Sequence, residues 1–432
     1  MSQIATIHKA FLSSSGVSTD SRQVNTGVIF FALKGGNFDG NKYVKEVMDN
    51  GASFAVADDI SLQSIKNVFV VDDVLTTLQE LATYHRRHLG LPLIAITGTN
   101  GKTTTKELVA AVVSRKYKTK ATIGNFNNHI GVPLTLLSMD KSIELGIVEM
   151  GANHIGEIEL LCNIAEPDYG MITNVGKAHL EGFGSFEGVK TAKGEMYQYL
   201  QKHNGQLFIN HDNEHLKEMA KGIGNRIEYG LTNGVVTGDI NCNNPFITIN
   251  WKAGKESIQT VKTNLIGAYN LENILSAICI GYSLAVDVDD INAAIEEYKP
   301  TNNRSQLIQS TSNKIIMDAY NANPSSMQVA IQNFSSMEAP NKVLILGGMK
   351  EMGDDCQKEH QKLVQLIEQQ TFSAIYLIGP EFENLLNSKP KLLHFKTNTS
   401  LIDELKANPI KNSTILIKGS RSNKLEELLE YV

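Results

Sequence analysis

Continuous apolar runs alternate with helically spaced apolar positions over much of the chain. Runs at residues 93–96, 143–150 and 169–175 are typical of strands buried on both faces of a sheet. Residues 106–116 and 271–284 instead have the apolar spacing of helices. Strands and helices that alternate in this way favour a parallel sheet with helices on both faces, so we predict a central α/β domain with a mostly parallel sheet.

Two breaks in this pattern divide the chain. A helical pattern at residues 75–88 is followed by a Gly-Leu-Pro break and a new apolar strand, and turn-forming residues cluster at 299–303. At roughly 150 residues per domain, a length of 432 residues also predicts about three domains. We therefore predict domains at residues 1–88, 89–300 and 301–432.

The outer domains and one stretch of the central domain have patterns of their own. The first domain combines short apolar runs with Gly-rich turns, which predicts a small α/β module. Residues 207–266 carry short strands between Asn and Gly turns, and we predict an antiparallel extension of the central sheet there. The third domain returns to β-α-β alternation and is predicted to be Rossmann-like, with strands at residues 315–317, 343–346, 375–378 and 415–417.

The amino-acid composition excludes several classes of protein. With 42% hydrophobic and 20% charged residues, the chain has the balance of an ordered globular protein. A net charge of −6 argues against nucleic acid as a main partner, because binding a phosphate backbone requires clustered positive charge. The four cysteines form no C-x-x-C pair, and no apolar run approaches the length that spans a bilayer. We therefore expect a cytoplasmic protein without membrane insertion, zinc ribbon or disulfide framework.

The clearest chemical signal is TGTNGKTTT at residues 97–105, between a predicted strand and a helix. In such a loop, glycines let backbone N–H groups point at phosphate oxygens, a lysine adds a mobile positive charge, and the next hydroxyl ligates magnesium. The spacing departs from the usual phosphate loop, since Ile96 occupies the position of its first glycine. An ordinary Gly-rich turn is the weaker alternative. The candidate ATP-binding residues are Gly98, Thr99, Asn100, Gly101, Lys102, Thr103 and Thr104.

Three further residues are candidates for chemistry beside this loop. Glu149 ends a predicted strand at the edge where ligands collect in parallel sheets, and it could equally be a solvated acid. His179 follows another strand and could be a neutral nitrogen ligand, although most isolated loop histidines are solvated. Lys193, on a predicted helix, is by default a surface lysine.

Taken together, these segments resemble the Mur ligase family of peptidoglycan synthesis along nearly the whole chain. The shared features are the loop at 97–105, VEMGANH at 148–154, AHLEGFG at 178–184 and AKGE at 192–195. The resemblance implies an ATP-dependent ligase with two Mg²⁺ ions, for which Thr103, Glu149 and His179 are ligands. It also implies that Lys193 is carbamylated, which would turn an ammonium into an anionic oxygen ligand. Lys102, His179 and Lys193 are then the catalytic residues.

The resemblance also assigns contacts to the nucleotides. Asn270 and Asn273 match positions near adenine, with Tyr269 where histidine is common in the family. Arg304 and Asp318 match phosphate and ribose contacts of ATP. In the first domain, the residues implied to hold the UDP end of the substrate are Ser21, Arg22, Lys34 and Asp39. Two other positions differ from the family, since Asn41 replaces a frequent histidine and Gly348 a common aspartate.

Three motifs resemble one branch of the family, which joins D-alanyl-D-alanine to UDP-N-acetylmuramoyl-tripeptide. They are NNHIGVP at 127–133, DAYNANP at 318–324 and KGSR at 418–421. The resemblance implies a monomeric enzyme that makes an acyl phosphate from the tripeptide carboxylate and lets the dipeptide amine attack it. The substrate contacts implied by these motifs are Asn127, Asn128, Tyr320, Asn321, Lys418 and Ser420.

Two other functions remain open at this point. One is a related amino-acid ligase, either another Mur enzyme or a folylpolyglutamate synthase, and the motif at 318–324 argues against it. The other is an ATP-binding switch or scaffold without catalysis, since phosphate loops also occur in proteins that only sense nucleotide. The combination of Glu149, His179 and Lys193 favours chemistry over that alternative.

Overall fold

The computed structural model describes residues 2–301, 303–383, 385 and 392–432. Asn302, in the turn-rich stretch predicted at the second boundary, lies outside these residues. The described residues form three consecutive α/β domains with mostly parallel sheets, as predicted from the sequence.

The N-terminal domain is a small α/β unit. Its elements are α1 (Gln3–Leu12), β1 (Val17–Ser18), β2 (Ile29–Phe31), β3 (Lys34–Gly35), β4 (Phe38–Asp39), α2 (Val44–Asp49), β5 (Phe54–Ala57), β6 (Val68–Val70) and α3 (Val74–Leu89). A parallel sheet has the strand order β1-β2-β5-β6, and β3 and β4 form a small hairpin. The predicted helix at 75–88 is α3, which Asp73 caps by accepting from Thr76 N at 2.6 Å and which ends at the left-handed Gly90.

The central domain is built on a nine-stranded sheet. Its elements are β7 (Leu93–Thr97), α4 (Lys102–Val113), β8 (Thr119–Ala121), α5 (Gly131–Leu137), β9 (Leu145–Glu149), α6 (Glu157–Ala165), β10 (Tyr169–Ile172), α7 (Leu180–Phe183), α8 (Phe186–Lys202), β11 (Gln206–Asn210), α9 (Glu214–Met219), β12 (Arg226–Gly230), β13 (Val236–Asn243), β14 (Phe246–Ala253), β15 (Gln259–Ile266), α10 (Asn270–Ser283) and α11 (Val288–Glu297). The strand order is β15-β14-β13-β12-β11-β10-β7-β9-β8.

The prediction for residues 207–266 was only partly right. Strands β11, β12 and β13 pair in parallel and continue the central sheet. Helix α9 is the crossover that brings the chain from β11 back in the same direction to β12. Only β14 and β15 are antiparallel additions, and each has eight residues rather than being short.

The C-terminal domain is Rossmann-like, as predicted. Its elements are β16 (Gln306–Gln309), β17 (Lys314–Asp318), α12 (Pro324–Ser336), β18 (Lys342–Gly347), α13 (Cys356–Glu368), β19 (Ala374–Ile378), β20 (Leu392–Phe395), α14 (Asn398–Ala407) and β21 (Thr414–Lys418). The strand order is β16-β17-β21-β18-β19-β20, and every neighbouring pair is parallel except β16 with β17. The pattern analysis missed the edge strands β16 and β20, which are only half-buried and lack a continuous apolar run.

Packing joins the N-terminal and central domains into one apolar core. Helix α3 buries Leu78 and Leu81 in a cluster that also contains Val148 and Ile172 from central strands. The C-terminal domain has an apolar cluster on each face of its sheet, and Ile266 and Phe246 of the central domain pack into one of them. The cavity described next lies at the junction between these two domains.

Candidate functional site

A cavity of about 680 Å³ opens at the carboxyl ends of the central strands. The loops that follow β7, β9 and β10 form one side, and residues of the C-terminal domain form the other. This is the edge where parallel α/β sheets bind ligands, because strand ends and helix N-termini converge there.

The loop between β7 and α4 has a backbone that only glycine can supply at two positions. Gly98 has φ 145° and Gly101 has φ 80°, and α4 begins at the next residue, Lys102. A Cβ on Gly98 would lie 2.0 Å from Thr173 Oγ1, and one on Gly101 would lie 2.6 Å from Asn273 Oδ1. The loop is therefore held tightly against its neighbours while its helix N-terminus faces the cavity.

Lys102 lies across this loop and lines the cavity. Its Nζ donates to Gly98 O at 2.7 Å and to Thr99 O at 3.1 Å, and no carboxylate of the described residues forms an ion pair with it. Burial lowers the pKa of Lys102, and the nearby Arg304 lowers it further against the attraction of Glu149. A positive charge held this way suits an anionic ligand such as a phosphate.

Thr103 and Glu149 form a buried oxygen pair at the base of the cavity. Thr103 Oγ1 donates to Glu149 Oε2 at 2.8 Å, and Asn127 Nδ2 donates to Glu149 Oε1 at 2.8 Å. No three His, Cys, Asp or Glu side chains of the described residues are grouped as a complete metal cage. A hydroxyl beside a carboxylate does fit Mg²⁺, which takes one or two protein oxygens together with phosphate oxygens and water.

His179 lines the cavity in a left-handed backbone conformation, with φ 49°. Its Nδ1 lies 2.5 Å from Glu351 Oε2 of the C-terminal domain, in a contact whose angles are not those of a hydrogen bond. Burial lowers the pKa of His179, Lys102 and Lys193 act in the same direction, and Glu351 opposes them. The ring is therefore held neutral near pH 7, the form that can act as a ligand.

Lys193 is buried on α8 and lies outside the cavity lining, which corrects the default expectation of a surface lysine. Its Nζ lies 5.3 Å from the centroid of the Phe183 ring, and it has no hydrogen-bond or ion-pair partner among the described residues. Burial lowers the pKa of Lys193 to about 7, with repulsion from Lys102 adding to the effect against Glu157 and Glu195. A substantial fraction of this amine is neutral at physiological pH.

Asn270 and Asn273, at the start of α10, join the same cavity wall. Asn273 Oδ1 accepts from Thr105 Oγ1 at 3.1 Å, and its Nδ2 donates to Asn270 Oδ1 at 2.9 Å. Asn270 Nδ2 in turn donates to Ile266 O at 2.9 Å. These bonds connect the phosphate loop to α10, so both asparagines have a structural role besides lining the cavity.

The C-terminal domain contributes a charged and aromatic wall. Arg304 Cζ lies 3.8 Å from the centroid of the Tyr320 ring, and its buried Nε has no partner among the described residues. Lys418 Nζ lies 2.6 Å from Asp318 Oδ2 and 3.4 Å from Asn321 O. All five of these residues line the cavity.

A hydrogen bond joins the phosphate loop to the C-terminal domain. Asn323 Nδ2 of the C-terminal domain donates to Asn100 Oδ1 of the phosphate loop at 2.8 Å. Asn323 also caps α12 by accepting from Ser326 N at 2.9 Å. This bond connects the phosphate loop to the start of α12 in the C-terminal domain.

Comparison with known proteins identifies the family. Three family models match the chain, described as Mur ligase family, catalytic domain (residues 13–87), Mur ligase middle domain (96–281) and Mur ligase, glutamate ligase domain (303–421). The UDP-N-acetylmuramoyl-tripeptide–D-alanyl-D-alanine ligase of Bacillus subtilis is 35% identical over 96% of this chain and 92% of its own, and that of Escherichia coli is 32% identical over the same shares.

The chain belongs to the Mur ligase family.

Solved structures of Mur ligases agree with that identification. MurF from Acinetobacter baumannii has a TM-score of 0.87 and 29% identity, and MurF from Thermotoga maritima in complex with ADP has a TM-score of 0.86 and 28% identity. Each comparison covers 98% of this Mur ligase and 97% of the other chain. The matched family ranges lie within the three domains predicted from the sequence, whose boundaries at residues 88 and 300 stay a prediction.

Several predicted substrate contacts of this Mur ligase lie away from the cavity. Arg22 pairs with Asp20 on the surface of the N-terminal domain, and Ser21 lies between them. Lys34 pairs with Asp58, and Asp39 Oδ1 accepts from the buried Asn41. In the C-terminal domain, Ser420 Oγ is buried and accepts from Lys350 N at 3.2 Å.

Asn127 and Asn128 are the predicted substrate contacts from the central domain, and both line the cavity. Asn128 Oδ1 also accepts from Gly131 N at 2.8 Å and so supports the start of α5. Thr104 lines the cavity as well.

The sequence analysis missed two residues that hold the loop. Asn174 binds Asn100 twice, accepting from its N at 3.0 Å and donating to its O at 3.1 Å. It follows β10 at the same sheet edge as Glu149, so the rule that selected Glu149 could have found it. Asn323 stood within the DAYNANP motif but was not singled out.

Among the described residues, no helix combines the length and the apolar character required to span a bilayer.

Proposed function

We propose that this chain joins D-alanyl-D-alanine to UDP-N-acetylmuramoyl-tripeptide, with conversion of ATP to ADP and phosphate. The observation that carries the proposal is the cavity itself, where the Lys102 loop faces the DAYNANP segment of the C-terminal domain. Relatives named for this reaction, at 35% and 32% identity over nearly the full chain, support the same substrates. The chain acts as a monomer in the cytoplasm, where ATP is made.

The reaction requires activation because a carboxylate does not react with an amine at neutral pH. A carboxylate oxygen of the tripeptide attacks the γ-phosphorus of ATP, the bond to the β-phosphate oxygen breaks, and ADP leaves. The dipeptide amine then attacks the acyl carbon, phosphate departs from the tetrahedral intermediate, and the nitrogen loses a proton. Lys102 and the loop N–H groups neutralise charge on the transferring phosphoryl group and hold it in line.

Oxygen donors support magnesium binding beside the loop. Thr103 and Glu149 would hold one ion, and His179 and a carbamate on Lys193 would hold a second. Bound magnesium supplies charge neutralisation for the phosphoryl group. The unpartnered Nζ of Lys193 and its pKa of about 7 support the carbamate, because the neutral amine is the form that attacks CO₂, forming an N–C bond and releasing a proton.

Each of the three domains contributes further contacts to ATP or to the substrates. Asn270, Asn273, Arg304 and Asp318 bind ATP, together with the loop residues Gly98, Thr99, Asn100, Gly101, Thr103 and Thr104. The UDP end of the tripeptide substrate lies on the N-terminal domain at Ser21, Arg22, Lys34 and Asp39. The peptide end and the dipeptide are bound by Asn127, Asn128, Tyr320, Asn321, Lys418 and Ser420.

The test is product formation by the purified chain with Mg²⁺, ATP, UDP-N-acetylmuramoyl-tripeptide and D-alanyl-D-alanine. We expect the pentapeptide nucleotide by mass spectrometry, with ADP release that requires both acceptor substrates. Tripeptides that carry lysine or diaminopimelate are compared side by side. Slow ADP release that is independent of both acceptors would instead indicate a nucleotide switch.

Lys102→Ala is the matching variant. Loss of one group that stabilises the transition state lowers turnover by about 10² to 10³, or about 3 to 4 kcal/mol. The control is Lys116→Ala, which removes the same charge from an exposed lysine just beyond the same helix. Near-normal turnover of Lys102→Ala at saturating ATP would contradict the role of the loop.

A further inference from the structure

The chain enters the C-terminal domain through a bent segment that lines the cavity. Asn303 has φ 58° and Ser305 has φ 49°, in the left-handed region that residues other than glycine rarely adopt. Arg304 lies between them, and both Arg304 and Ser305 line the cavity. Strand β16 begins directly after Ser305, at Gln306. Because a left-handed conformation is unfavourable for a residue with a side chain, contacts of the surrounding structure must maintain it here.

Tyr269 of the central domain makes such a contact. Its hydroxyl lies 2.8 Å from Ser305 Oγ, in a hydrogen bond in which either oxygen can donate. The ring packs closely on the backbone just before α10, since a Cβ on Gly267 would lie 2.3 Å from Tyr269 Cε1. Burial raises the pKa of Tyr269, the charge of Asp318 adds to the effect, and the bond to Ser305 opposes it. The hydroxyl therefore keeps its proton at neutral pH and holds the buried Ser305 in place.

The guanidinium of Arg304 is placed to act on an anion beside the phosphate loop. Its Cζ lies 3.8 Å from the centroid of the Tyr320 ring, so stacking restrains the plane of the group. Its buried Nε has no partner among the described residues. Burial lowers the pKa of Lys102, and the charge of Arg304 is close enough to lower it further. Two like charges near one another, with a donor unused, suit a shared polyanion such as the phosphates of ATP.

Resting on the ATP binding proposed above, we propose that Tyr269 is a positioning residue for Arg304. Its hydroxyl holds Ser305 Oγ and so maintains the bent backbone that directs the guanidinium toward the phosphate site at Lys102. Because Ser305 already occupies the hydroxyl, Tyr269 acts on the phosphates through Arg304 and not by direct contact. Affinity for the triphosphate therefore depends on a bond between the central domain and the segment that leads into the C-terminal sheet.

The test measures binding of a non-hydrolysable ATP analogue with Mg²⁺ to the full chain by calorimetry. Tyr269→Phe removes only the hydroxyl and keeps the ring on Gly267. We expect its dissociation constant to rise roughly 2- to 10-fold, the effect of one lost hydrogen bond, and Ser305→Ala to match it. The control is Tyr282→Phe, at the far end of α10 and away from the cavity lining, which should bind like the unaltered chain.

The Arg304→Ala background separates positioning from direct contact. Arg304→Ala should weaken binding by itself, and Tyr269→Phe should then weaken it no further, because no guanidinium remains to be held. A further loss in that background, or normal binding by Tyr269→Phe alone, would overturn the proposal. If the unaltered chain binds the analogue but makes no pentapeptide, the ligase function fails while these binding constants still decide the role of Tyr269. An unaltered chain that does not bind the analogue would overturn both.

Discussion

At the scale of single residues, two lysines are buried in or near the cavity. Lys102 and Lys193 are both taken out of water, and neither has an ion-pair partner among the described residues. Desolvated cations without partners are unfavourable, so the folded chain gains when an anion enters. A triphosphate beside Lys102, or a carbamate in place of the Lys193 ammonium, removes that cost. The unfavourable burial of these two cations therefore favours both ATP binding and formation of the carbamate.

The depressed pKa of Lys193 predicts a pH-dependent stability. Because the pKa of Lys193 is about 7 in the folded chain, its proton is released near pH 7, whereas the unfolded chain keeps it up to the ordinary lysine pKa of 10.5. Between these values the unfolded state binds more protons, so the free energy of unfolding rises with pH by up to about 1.4 kcal/mol per unit. Below pH 7 both states are protonated, and the cost of burying the ammonium is constant and largest.

Lys193→Met should therefore be more stable than the unaltered chain at pH 7, by a margin that shrinks by about 2 kcal/mol at pH 9. Urea unfolding in carbonate-free buffer, followed by the fluorescence of Trp251, measures this directly. Trp251 is the only tryptophan of the chain and is buried in the central domain. A margin that does not change with pH would show that the ammonium is not desolvated as described.

Sequence alone reached some of these residues and not others. Glu149 and the loop could be found because a parallel sheet brings strand ends to one edge. The contacts of His179 with Glu351 and of Asn100 with Asn323 could not be found, because Glu351 and Asn323 come from another domain. No local pattern records such a contact. Burial of Lys193 was equally invisible, since a lysine on an amphipathic helix is usually exposed.

At the scale of elements, the phosphate loop depends on the turn that starts α4. Gly101→Ala places a methyl group 2.6 Å from Asn273 Oδ1 and requires a positive φ from alanine. The loop must shift by about the size of that overlap, and a displacement near 1 Å costs on the order of 10² in rate. We expect turnover to fall by that factor, together with weaker ATP binding measured by calorimetry.

Gly124→Ala is the matched control for Gly101→Ala. Gly124 also has a positive φ, 58°, but a Cβ there meets no atom within 4 Å. It should lower stability by about 1 kcal/mol through backbone strain alone and leave turnover unchanged. Equal losses of turnover in both variants would show that backbone strain at a positive φ lowers turnover, and that the contact with Asn273 does not.

The sequence pattern predicted the bounds of buried strands better than those of exposed elements. Strands β7, β9, β10, β18 and β21 each contain a buried apolar run and were predicted to within a few residues. Helix α4 was predicted four residues late, since its first turn is Lys102 and three threonines, which carry no apolar periodicity. The edge strands β16 and β20 are only partly buried, so their sequences contain no continuous apolar run that would predict them.

At the scale of the whole molecule, the three domains are joined in two different ways. The N-terminal domain shares an apolar core with the central sheet through α3. The C-terminal domain instead meets the cavity through polar contacts, of which Asn323 with Asn100 is the most direct. Polar contacts between domains are individually weak, so we expect the third domain to move relative to the central domain when ligands bind.

Variants at Asn323 can test the contact between the two domains without loss of the cap of helix α12. Serine caps helices about as well as asparagine, so Asn323→Ser should keep α12 stable within about 0.5 kcal/mol while losing the bond to Asn100. One such bond is worth about 0.5 to 1.5 kcal/mol, which predicts a roughly 2- to 10-fold loss in kcat/KM for the dipeptide. Asn323→Ala should show the same kinetic loss and, in addition, about 1 kcal/mol of lost stability from the missing cap.

A double-mutant cycle with Asn100→Ala then tests whether the two amides act as one contact. The side chain of Asn100 accepts only from Asn323 among the described residues, so the cycle removes a single interaction. If the contact couples the loop to the third domain, Asn100→Ala with Asn323→Ser should be no slower than either single variant, because both remove the same bond. Additive losses would mean that each asparagine meets substrate separately, and movement of the third domain would then have to depend on the contact between His179 and Glu351 instead.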